Sequence, residues 1–525
     1  MRRPTSVRPP SVRPPSVRPT SVGPAASPSA GIASLAALVV PCVTTVVLWA
    51  VFLRADVSSA AVIGLICSFV CVRQIVLAVT EPSSGPVGLV FWTFLLGWMC
   101  IGSLAQLGSG VFPWPDSGLE SLFPWAQLLL LGAMLSYVAG ARIAAQRPYT
   151  VRSSVGGRLR PLLVLLVGVL MLVPVLQASG GLAARFTTRG DVYAALAEAG
   201  VTGDNVTLFL LNRLPAAVAM VAAYGAAHAF VCRFDEGRRP RGRTVALVVA
   251  VVLLVVLANP FSNPRYLAFS ALAATVLGLW PLTTRHRREI ALVGLLVVTL
   301  VAYPLATWFK KKSTSTQLGQ VDLSTFSGID FDGYQMSVNA LSYVRDNGFA
   351  FGEHILAAAA FFVPRSLWSA KPMPASLDVA ADRGYAFLNL SLPLWAELYI
   401  DLGVVGVVLG MGLLGYVSRR LDLAYASQDG SLGQHMAVLV AVAQVGLLRG
   451  PLGGSVVFFG TVVAIGWWTF RQPRSARAPA RTAEDPRPAA GVRPAGAREP
   501  ARERARDLAR DPAHVQARDP VGGRT

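Results

Sequence analysis

The chain has 525 residues, of which 53% are hydrophobic and only 14% are charged, and its mean hydropathy is +0.52. This composition excludes a disordered or ordinary soluble chain and indicates a protein that crosses a membrane several times. The net charge of +19 does not indicate nucleic-acid binding, because the two termini (1–30 and 471–525) together hold +11 of it. Basic segments beside membrane spans more simply indicate the cytoplasmic side and attraction to anionic lipids.

Both termini are predicted to be disordered and cytoplasmic. Residues 4–22 repeat Ser-Val-Arg-Pro with a period of five, and Pro this frequent excludes helix and sheet. The segment 471–525 is rich in Arg, Pro and Ala. No cleavable signal peptide is expected, because the first hydrophobic span is too long and lacks a clear cleavage site. The five cysteines show no zinc spacing, and four of them fall inside hydrophobic spans.

Between the termini, runs of roughly 17–25 apolar residues predict about twelve transmembrane helices. The predicted spans are 31–53, 57–79, 86–106, 122–143, 160–177, 206–231, 244–259, 266–283, 289–307, 391–417, 435–449 and 451–470. Arg73 interrupts the second of them, where an arginine is costly unless its side chain reaches the interface. The predicted fold class is therefore an all-α polytopic integral membrane protein, with nine helices in 31–307, a large insertion at 308–390 and three helices in 391–470.

The loops orient these spans. Clusters of arginine follow the fourth, sixth, eighth and tenth spans, which places them on the side of the termini if every span crosses once. This distribution predicts cytoplasmic termini and an external insertion. Basic residues on the external side are contrary to the preference of Lys and Arg for cytoplasmic loops, and they need another explanation. They are Arg185, Arg189, Arg265, Lys310, Lys311, Lys312, Arg345, Arg365, Lys371, Arg383 and Arg449.

The insertion at 308–390 is too long to be a simple connection, because loops of more than ~15 residues are uncommon unless they are functional or disordered. Eleven aromatic residues between Phe326 and Phe387 are too many for a solvated tether. We therefore expect a folded external cap that carries chemistry.

Four external segments, 180–191, 259–266, 363–372 and 448–452, place an arginine at the end of a span beside Pro or Gly. A basic external face suits an anionic, lipid-attached substrate, because the guanidinium fork binds phosphate through two hydrogen bonds. The alternative is that these arginines only reach the membrane interface or cap helix ends.

Three acidic residues on the same side are candidates for acid–base chemistry. Glu397 lies near the start of the tenth span, where a carboxylate is costly unless it is paired or functional. It is a candidate general base or, alternatively, the ion-pair partner of an external arginine. Asp330 and Asp332 are rival carboxylates that could instead be turn residues. A glycine pattern, Gly410-Met411-Gly412-Leu413-Leu414-Gly415, lies within a predicted helix and favours close helix packing over a dinucleotide site.

Several short motifs lie in the insertion and in the span after it. They are Asp332-Gly333-Tyr334-Gln335-Met336, 339–344, 363–372, 389–391 and Pro393-Leu394-Trp395-Ala396-Glu397-Leu398-Tyr399. Together they resemble the oligosaccharide repeat-unit polymerases, the O-antigen polymerase (Wzy) family, and the segments at 180–189 and 259–266 look similar too. The resemblance covers roughly residues 160–460 and is most specific within 330–415.

The resemblance implies a glycosyltransferase of polysaccharide biosynthesis in the cytoplasmic membrane. Such an enzyme moves a growing glycan from a polyprenyl (undecaprenyl) diphosphate carrier to the non-reducing end of a lipid-linked repeat unit at the outer face, without a metal or other cofactor. It implies lipid-linked donor and acceptor as partners, together with membrane lipids, a chain-length regulator and a flippase, and no nucleic acid.

The resemblance also suggests roles for individual residues. Arg365 and Arg449 are the first candidates to stabilise the diphosphate, with Arg189 and Arg265 behind them, and Glu397 is the candidate base for the acceptor hydroxyl. Further substrate-binding candidates are Arg185, Lys371, Asp332, Tyr334, Trp368 and Trp395. The aromatic residues Trp368, Tyr385 and Trp395 could stack on sugar rings or merely pack the core of the cap.

A first prediction follows for Arg365→Ala and Glu397→Gln. Each variant is expected to stay folded in the membrane but to abolish chain lengthening, because it removes the diphosphate partner or the base. Gel analysis of the glycan made by each variant checks this, and a ladder as long as that of the unchanged protein would refute the assignment.

Four alternative functions are compatible with parts of the sequence. The related ligase moves finished glycan to a different acceptor. A transporter or lipid flippase would place polar residues and broken helices at mid-membrane, whereas here the polar residues lie at the external ends. A glycosyltransferase using single-sugar lipid donors typically has acids in a substantial first external loop, which here is only about 54–56. Pure scaffolding is the fourth.

Overall fold

A computed structural model of the protein describes residues 58–115, 118–149, 159–187, 209–232, 241–302, 326–386, 390–428 and 430–471. Fourteen helices of seven residues or more and no strand occur among these residues. The helices are α1 (Ser59–Thr80), α2 (Pro86–Ser109), α3 (Phe123–Gln146), α4 (Leu159–Ala178), α5 (Phe209–Val231), α6 (Arg241–Leu257), α7 (Arg265–Leu279), α8 (Arg285–Val297), α9 (Gly333–Asn347), α10 (Glu353–Ala359), α11 (Ala375–Asp382), α12 (Leu394–Ala426), α13 (Leu432–Arg449) and α14 (Leu452–Phe470). The predicted span 31–53, both termini and Arg189 lie outside the described residues.

Eight of these helices are long and apolar enough to cross a membrane: α1 to α5 and α12 to α14. The shorter α7 is also apolar. The chain is therefore a helical membrane protein, as its composition indicates. The total of twelve spans and the assignment of an inner and an outer side remain predictions.

The longest helix, α12, packs closely against α3. A side chain at Gly140 of α3 would overlap the carbonyl oxygen of Gly412, and one at Gly415 would overlap the carbonyl oxygen of Tyr137. The glycine pattern at 410–415 thus allows two backbones to touch, which is the packing role predicted for it.

Gly140→Ala is expected to lower the melting temperature of the purified protein, by an amount corresponding to about 1–3 kcal/mol, because the added methyl group meets backbone that cannot turn away. Gly132→Ala on the same helix is the matched control, since nothing lies within 4 Å of the new atom. Equal melting temperatures for the two variants would contradict the tight crossing.

The described part of the insertion, 326–386, folds against the helices. The helix α9 is largely buried and contacts α12, α3 and α2. Two side chains of α2 hold the segment that precedes it: Trp98 Nε1 donates to the carbonyl of Asp330 at 2.9 Å, and Gln106 Nε2 donates to the carbonyl of Phe331 at 2.8 Å. The described part of the insertion therefore lies against α2, α3 and α12, and its helix α10 also contacts α14.

Candidate functional site

The candidate site begins at the junction of α13 and α14. Pro451 precedes α14 and directs the chain into it, and the N–H of Leu452 donates to Glu397 Oε2 at 2.7 Å. Glu397 lies in the first turn of α12 and is fully buried. Its Oε1 has no hydrogen-bond partner within the described part of the chain. Leaving a buried acceptor unpaired costs roughly 1–3 kcal/mol, and a catalytic role is one explanation for such a group.

Two arginines meet at one carboxylate beside this junction. Arg265 begins α7 and Arg449 ends α13, while Asp330 lies in the 3₁₀ turn Ile329–Phe331 just before α9. Arg265 Nη1 is 3.3 Å from Asp330 Oδ2, and Arg449 Nη2 is 3.6 Å from Asp330 Oδ1. All three side chains are mostly but not wholly buried. The two guanidinium groups lie beside one carboxylate with part of their surface exposed, a geometry that suits binding of an anionic group.

A second carboxylate, that of Asp332, lies close enough to Arg449 to feel its charge. Its Oδ2 accepts hydrogen bonds from Trp114 Nε1 at 3.2 Å and from the N–H of Ser391 at 3.3 Å, and its Oδ1 accepts one from the Ser391 hydroxyl. Burial raises the pKa of Asp332 to about 6, although the charge of Arg449 and these hydrogen bonds act to lower it. Asp332 thus ties the start of α9 to the chain segments before α3 and α12.

An apolar groove ends at Arg449. It lies between α2, α7 and α8, has a volume of about 410 Å³ and extends along α7, whose 15 residues span about 22 Å. Trp98, Tyr266 and Phe331 line it at the same end as Arg449. Among its described lining residues Arg449 is the one that carries a charge.

The serine and threonine hydroxyl groups that line the groove are already bonded to backbone carbonyls. Thr93, Ser270 and Thr299 donate to the carbonyls of Leu89, Val442 and Leu295 at 2.7–2.8 Å. These bonds leave a wall that resembles hydrocarbon, with a cation at one end. The geometry suits a long lipid chain whose head group is anionic.

The structure gives Arg365 and Lys371 contacts within their own loop, between α10 and α11. Arg365 Nη1 and Nη2 donate to the carbonyls of Lys371 and Pro372 at 2.6 and 3.1 Å. Lys371 Nζ donates to three carbonyls of residues 360–363 at 2.9–3.2 Å. The loop reaches the candidate site at its end, where Pro374 packs on Gly453 in the first turn of α14. Both cations shape this loop, and their predicted diphosphate role remains a prediction.

The other predicted residues are more dispersed. Arg185 is buried and donates from Nη2 to the carbonyl of Leu257 at 3.5 Å, at the last residue of α6, and burial lowers its pKa. Tyr334 is buried and donates to the carbonyl of Phe123 at 3.3 Å, and Trp395 is fully buried in the core. Trp368, in the loop of Arg365, and Tyr385, beside Trp114, are the predicted aromatic residues that are only half-buried.

Two residues at the site were not predicted. The side chain of Arg213, in the first turn of α5, donates to the carbonyl of Gly454 in α14. Trp114 lies between α2 and α3, stacks on Tyr385 with ring centroids 5.6 Å apart, and exchanges two 2.8 Å hydrogen bonds with the side chain of Gln335. The Pro-Trp-Pro sequence around Trp114 was the available signal, since a rigid loop carrying an indole is typical of a membrane interface.

A buried histidine links the insertion to α12. His354, in the first turn of α10, contacts Asp401 Oδ1 through Nδ1 at 2.6 Å and Asp378 Oδ2 through Nε2 at 3.0 Å. The Asp401 carboxylate also accepts from the N–H of Ile355 at 2.8 Å. Nearby, Gly403 interrupts α12 with a φ of 63°. This contact anchors α10 and α11 beside the first turns of α12.

The contact of His354 with Asp401 and Asp378 is expected to weaken as pH rises. Burial by itself would lower the pKa of His354, but the hydrogen bonds and charges of Asp401 and Asp378 raise it to about 9 from 6.5. The stabilisation is therefore fully present below pH 6.5 and is lost as pH rises through about 9. The protection factor of the α10 amides, which is the intrinsic exchange rate at each pH divided by the observed rate, is expected to fall over this range. His354→Gln should remove this pH dependence of the protection factor, whereas His286→Gln, at an exposed site on α8, should retain it.

The described residues therefore place two arginines, an apolar groove and a buried glutamate around the junction of α13 and α14. Arg365, Lys371 and Trp368 lie in a loop that touches the same junction. No family model, curated protein or solved structure matches the chain.

Proposed function

We propose that this chain is an oligosaccharide repeat-unit polymerase, which transfers a growing glycan from a polyprenyl diphosphate carrier to the non-reducing end of a lipid-linked repeat unit. The observation that carries the proposal is the position of Arg449 at the end of the apolar groove. A polyprenyl chain needs a hydrocarbon-like channel and its diphosphate needs cations at one end, and the groove and the Arg265–Arg449 pair supply both.

In the proposed reaction the diphosphate leaves the donor sugar as the acceptor hydroxyl attacks. The bond between the anomeric carbon and the diphosphate oxygen breaks, and a glycosidic bond to the acceptor oxygen forms. Negative charge grows on the departing diphosphate, where Arg265 and Arg449 stabilise it. Asp330 keeps the two guanidinium groups side by side before the carrier arrives.

Glu397 takes the proton of the acceptor hydroxyl in this proposal. Its Oε2 is occupied by the N–H of Leu452, which fixes the carboxylate, and Oε1 is the oxygen that accepts the proton. Because Leu452 follows Arg449 by three residues, the junction of α13 and α14 connects the base to the diphosphate site. Arg365 and Trp368, in the loop whose Pro374 packs on Gly453 of α14, would contact the glycan.

A ligase would use the same carrier but would hand finished glycan to a different acceptor. The discriminating experiment supplies purified full-length protein in lipid nanodiscs with lipid-linked repeat units alone. Products of two or more repeat units support the polymerase, whereas unchanged substrate, followed by transfer once a second acceptor is added, supports the ligase. Failure of both reactions, with a protein shown to be folded, would reject the proposal.

A further inference from the structure

A second cavity lies at the other end of α12. It has a volume of about 330 Å³ and is bounded by α1, α2, α3 and the last turns of α12. Its charged lining residues include Arg73 and Arg142, and Gln74 adds an amide. Glu397 and the apolar groove's Arg449 do not line it, so this cavity is separate from the candidate active site.

The two carboxylates in this cavity are already engaged. Asp422 accepts hydrogen bonds from the N–H groups of Val87 and Gly88 at 2.9 and 3.0 Å, and so caps the start of α2. Glu81 Oε2 lies 3.7 Å from Arg419 Nη2, which also donates to the Ser83 hydroxyl at 2.8 Å. The lining acids therefore have cationic or N–H partners of their own.

Unlike these two acids, Arg73 and Arg142 make no hydrogen bond or ion pair with any residue in the described part of the chain. Arg73 also lies seven residues before the end of α1, inside a span where an arginine is costly unless its side chain reaches the interface or meets an anion. The cavity thus has a surplus of positive charge and guanidinium donors on two neighbouring helices.

One side of the cavity is apolar. Leu77 of α1 and Val138, Ala141 and Ala145 of α3 line it, and Trp92 and Tyr137 close its inner end. A soluble ion would gain nothing from this wall, whereas a lipid could place its acyl chains along it while its phosphate meets the arginines.

We propose that this cavity binds the phosphate group of an anionic membrane lipid through Arg73, Gln74 and Arg142. The site is independent of the proposed glycan transfer, because none of its residues lines the groove or the α13–α14 junction. A free phosphate ion offers the same oxygen acceptors, and the experiment separates the two sources.

The test compares lipid binding to full-length protein by native mass spectrometry. Phosphatidylglycerol and phosphatidylcholine are added separately, and inorganic phosphate is added in a third arm monitored by melting temperature. We expect phosphatidylglycerol to bind the unchanged protein at least about tenfold more tightly than phosphatidylcholine, because the choline ammonium offsets the attraction between its phosphate and the arginines, whereas phosphatidylglycerol keeps a net negative charge. Arg73→Gln with Arg142→Gln is expected to remove this preference, and Arg73→Lys with Arg142→Lys to retain most of it.

The matched control is Arg147→Gln. Arg147 follows α3, lies against the Tyr416 ring and does not line the cavity, so this variant should keep the preference. A different outcome is that inorganic phosphate raises the melting temperature, that this rise depends on Arg73 and Arg142, and that binding of phosphatidylglycerol does not depend on them. The cavity would then be a site for soluble phosphate, and the proposal that it binds a lipid would be rejected. Equal binding of both lipids, or an unchanged preference in the double Gln variant, would overturn the proposal.

Discussion

Replacing Arg449 with Gln is expected to lower the rate of glycan lengthening by about 100-fold to 1000-fold, the usual effect of losing a donor that stabilises transition-state charge. Arg449 lines the end of the apolar groove and shares Asp330 with Arg265. The shorter, neutral side chain cannot offset the charge that grows on the diphosphate. The measurement is the initial rate of repeat-unit polymerisation in nanodiscs at saturating lipid-linked substrate.

The fold is expected to survive this change. Asp330 keeps its contact with Arg265, and its carbonyl keeps the hydrogen bond from Trp98 Nε1. A melting temperature close to that of the unchanged protein would show this. The matched control is Arg345→Gln on α9, because Arg345 is exposed and pairs only with Asp346 among the described ion pairs. Full activity of Arg449→Gln, or an equal loss in the control, would contradict the assignment.

Glu397→Gln is expected to lower the same rate by about 100-fold or more, which is typical for loss of a general base. Glutamine keeps an oxygen that can accept the N–H of Leu452, so the start of α14 stays capped. It cannot, however, take a proton from the acceptor hydroxyl. The measurement is the rate with a fixed donor and increasing acceptor, in which kcat should fall and the acceptor KM should change little.

A second substitution separates the base from the helix cap. Glu397→Leu removes both functions, and leaving the N–H of Leu452 without an acceptor should cost about 1–3 kcal/mol of stability. The melting temperature should therefore fall for Glu397→Leu but not for Glu397→Gln. An active Glu397→Gln protein would leave Glu397 as a cap alone, and the base would have to be sought elsewhere, with Asp332 the next carboxylate to test.

The helical class and most span positions follow from local composition. A run of apolar residues long enough to cross a bilayer needs no partner to be recognised, and the helices α1 to α5 and α12 to α14 agree with predicted spans. The glycine pattern in α12 likewise predicted close helix packing, because small residues on a helix face let the backbones of two helices approach each other. The orientation bias of the loops also singled out Arg265 and Arg449 before their contacts were known.

The contacts that build the candidate site were not predictable. Asp330 and Arg449 are 119 residues apart, and Leu452 and Glu397 are 55 apart. Arg213 lies inside the predicted span 206–231 and Trp114 lies between two spans, and neither position by itself indicates which distant residue its side chain contacts. Arg365 matched the expected pattern of an arginine beside Pro, yet its guanidinium bonds to carbonyls six and seven residues further along the same loop.

Hydrophobic runs and charge bias are properties of neighbouring residues, so the printed sequence was sufficient to assign a helical membrane protein and to nominate its unusual arginines. Which side chains share a space depends on how the helices pack, and that packing is set by contacts between distant residues that no local pattern records. The groove that ends at Arg449, the shared carboxylate of Asp330 and the capping contact of Glu397 therefore emerged from the fold, since each needs several helices to converge at one point.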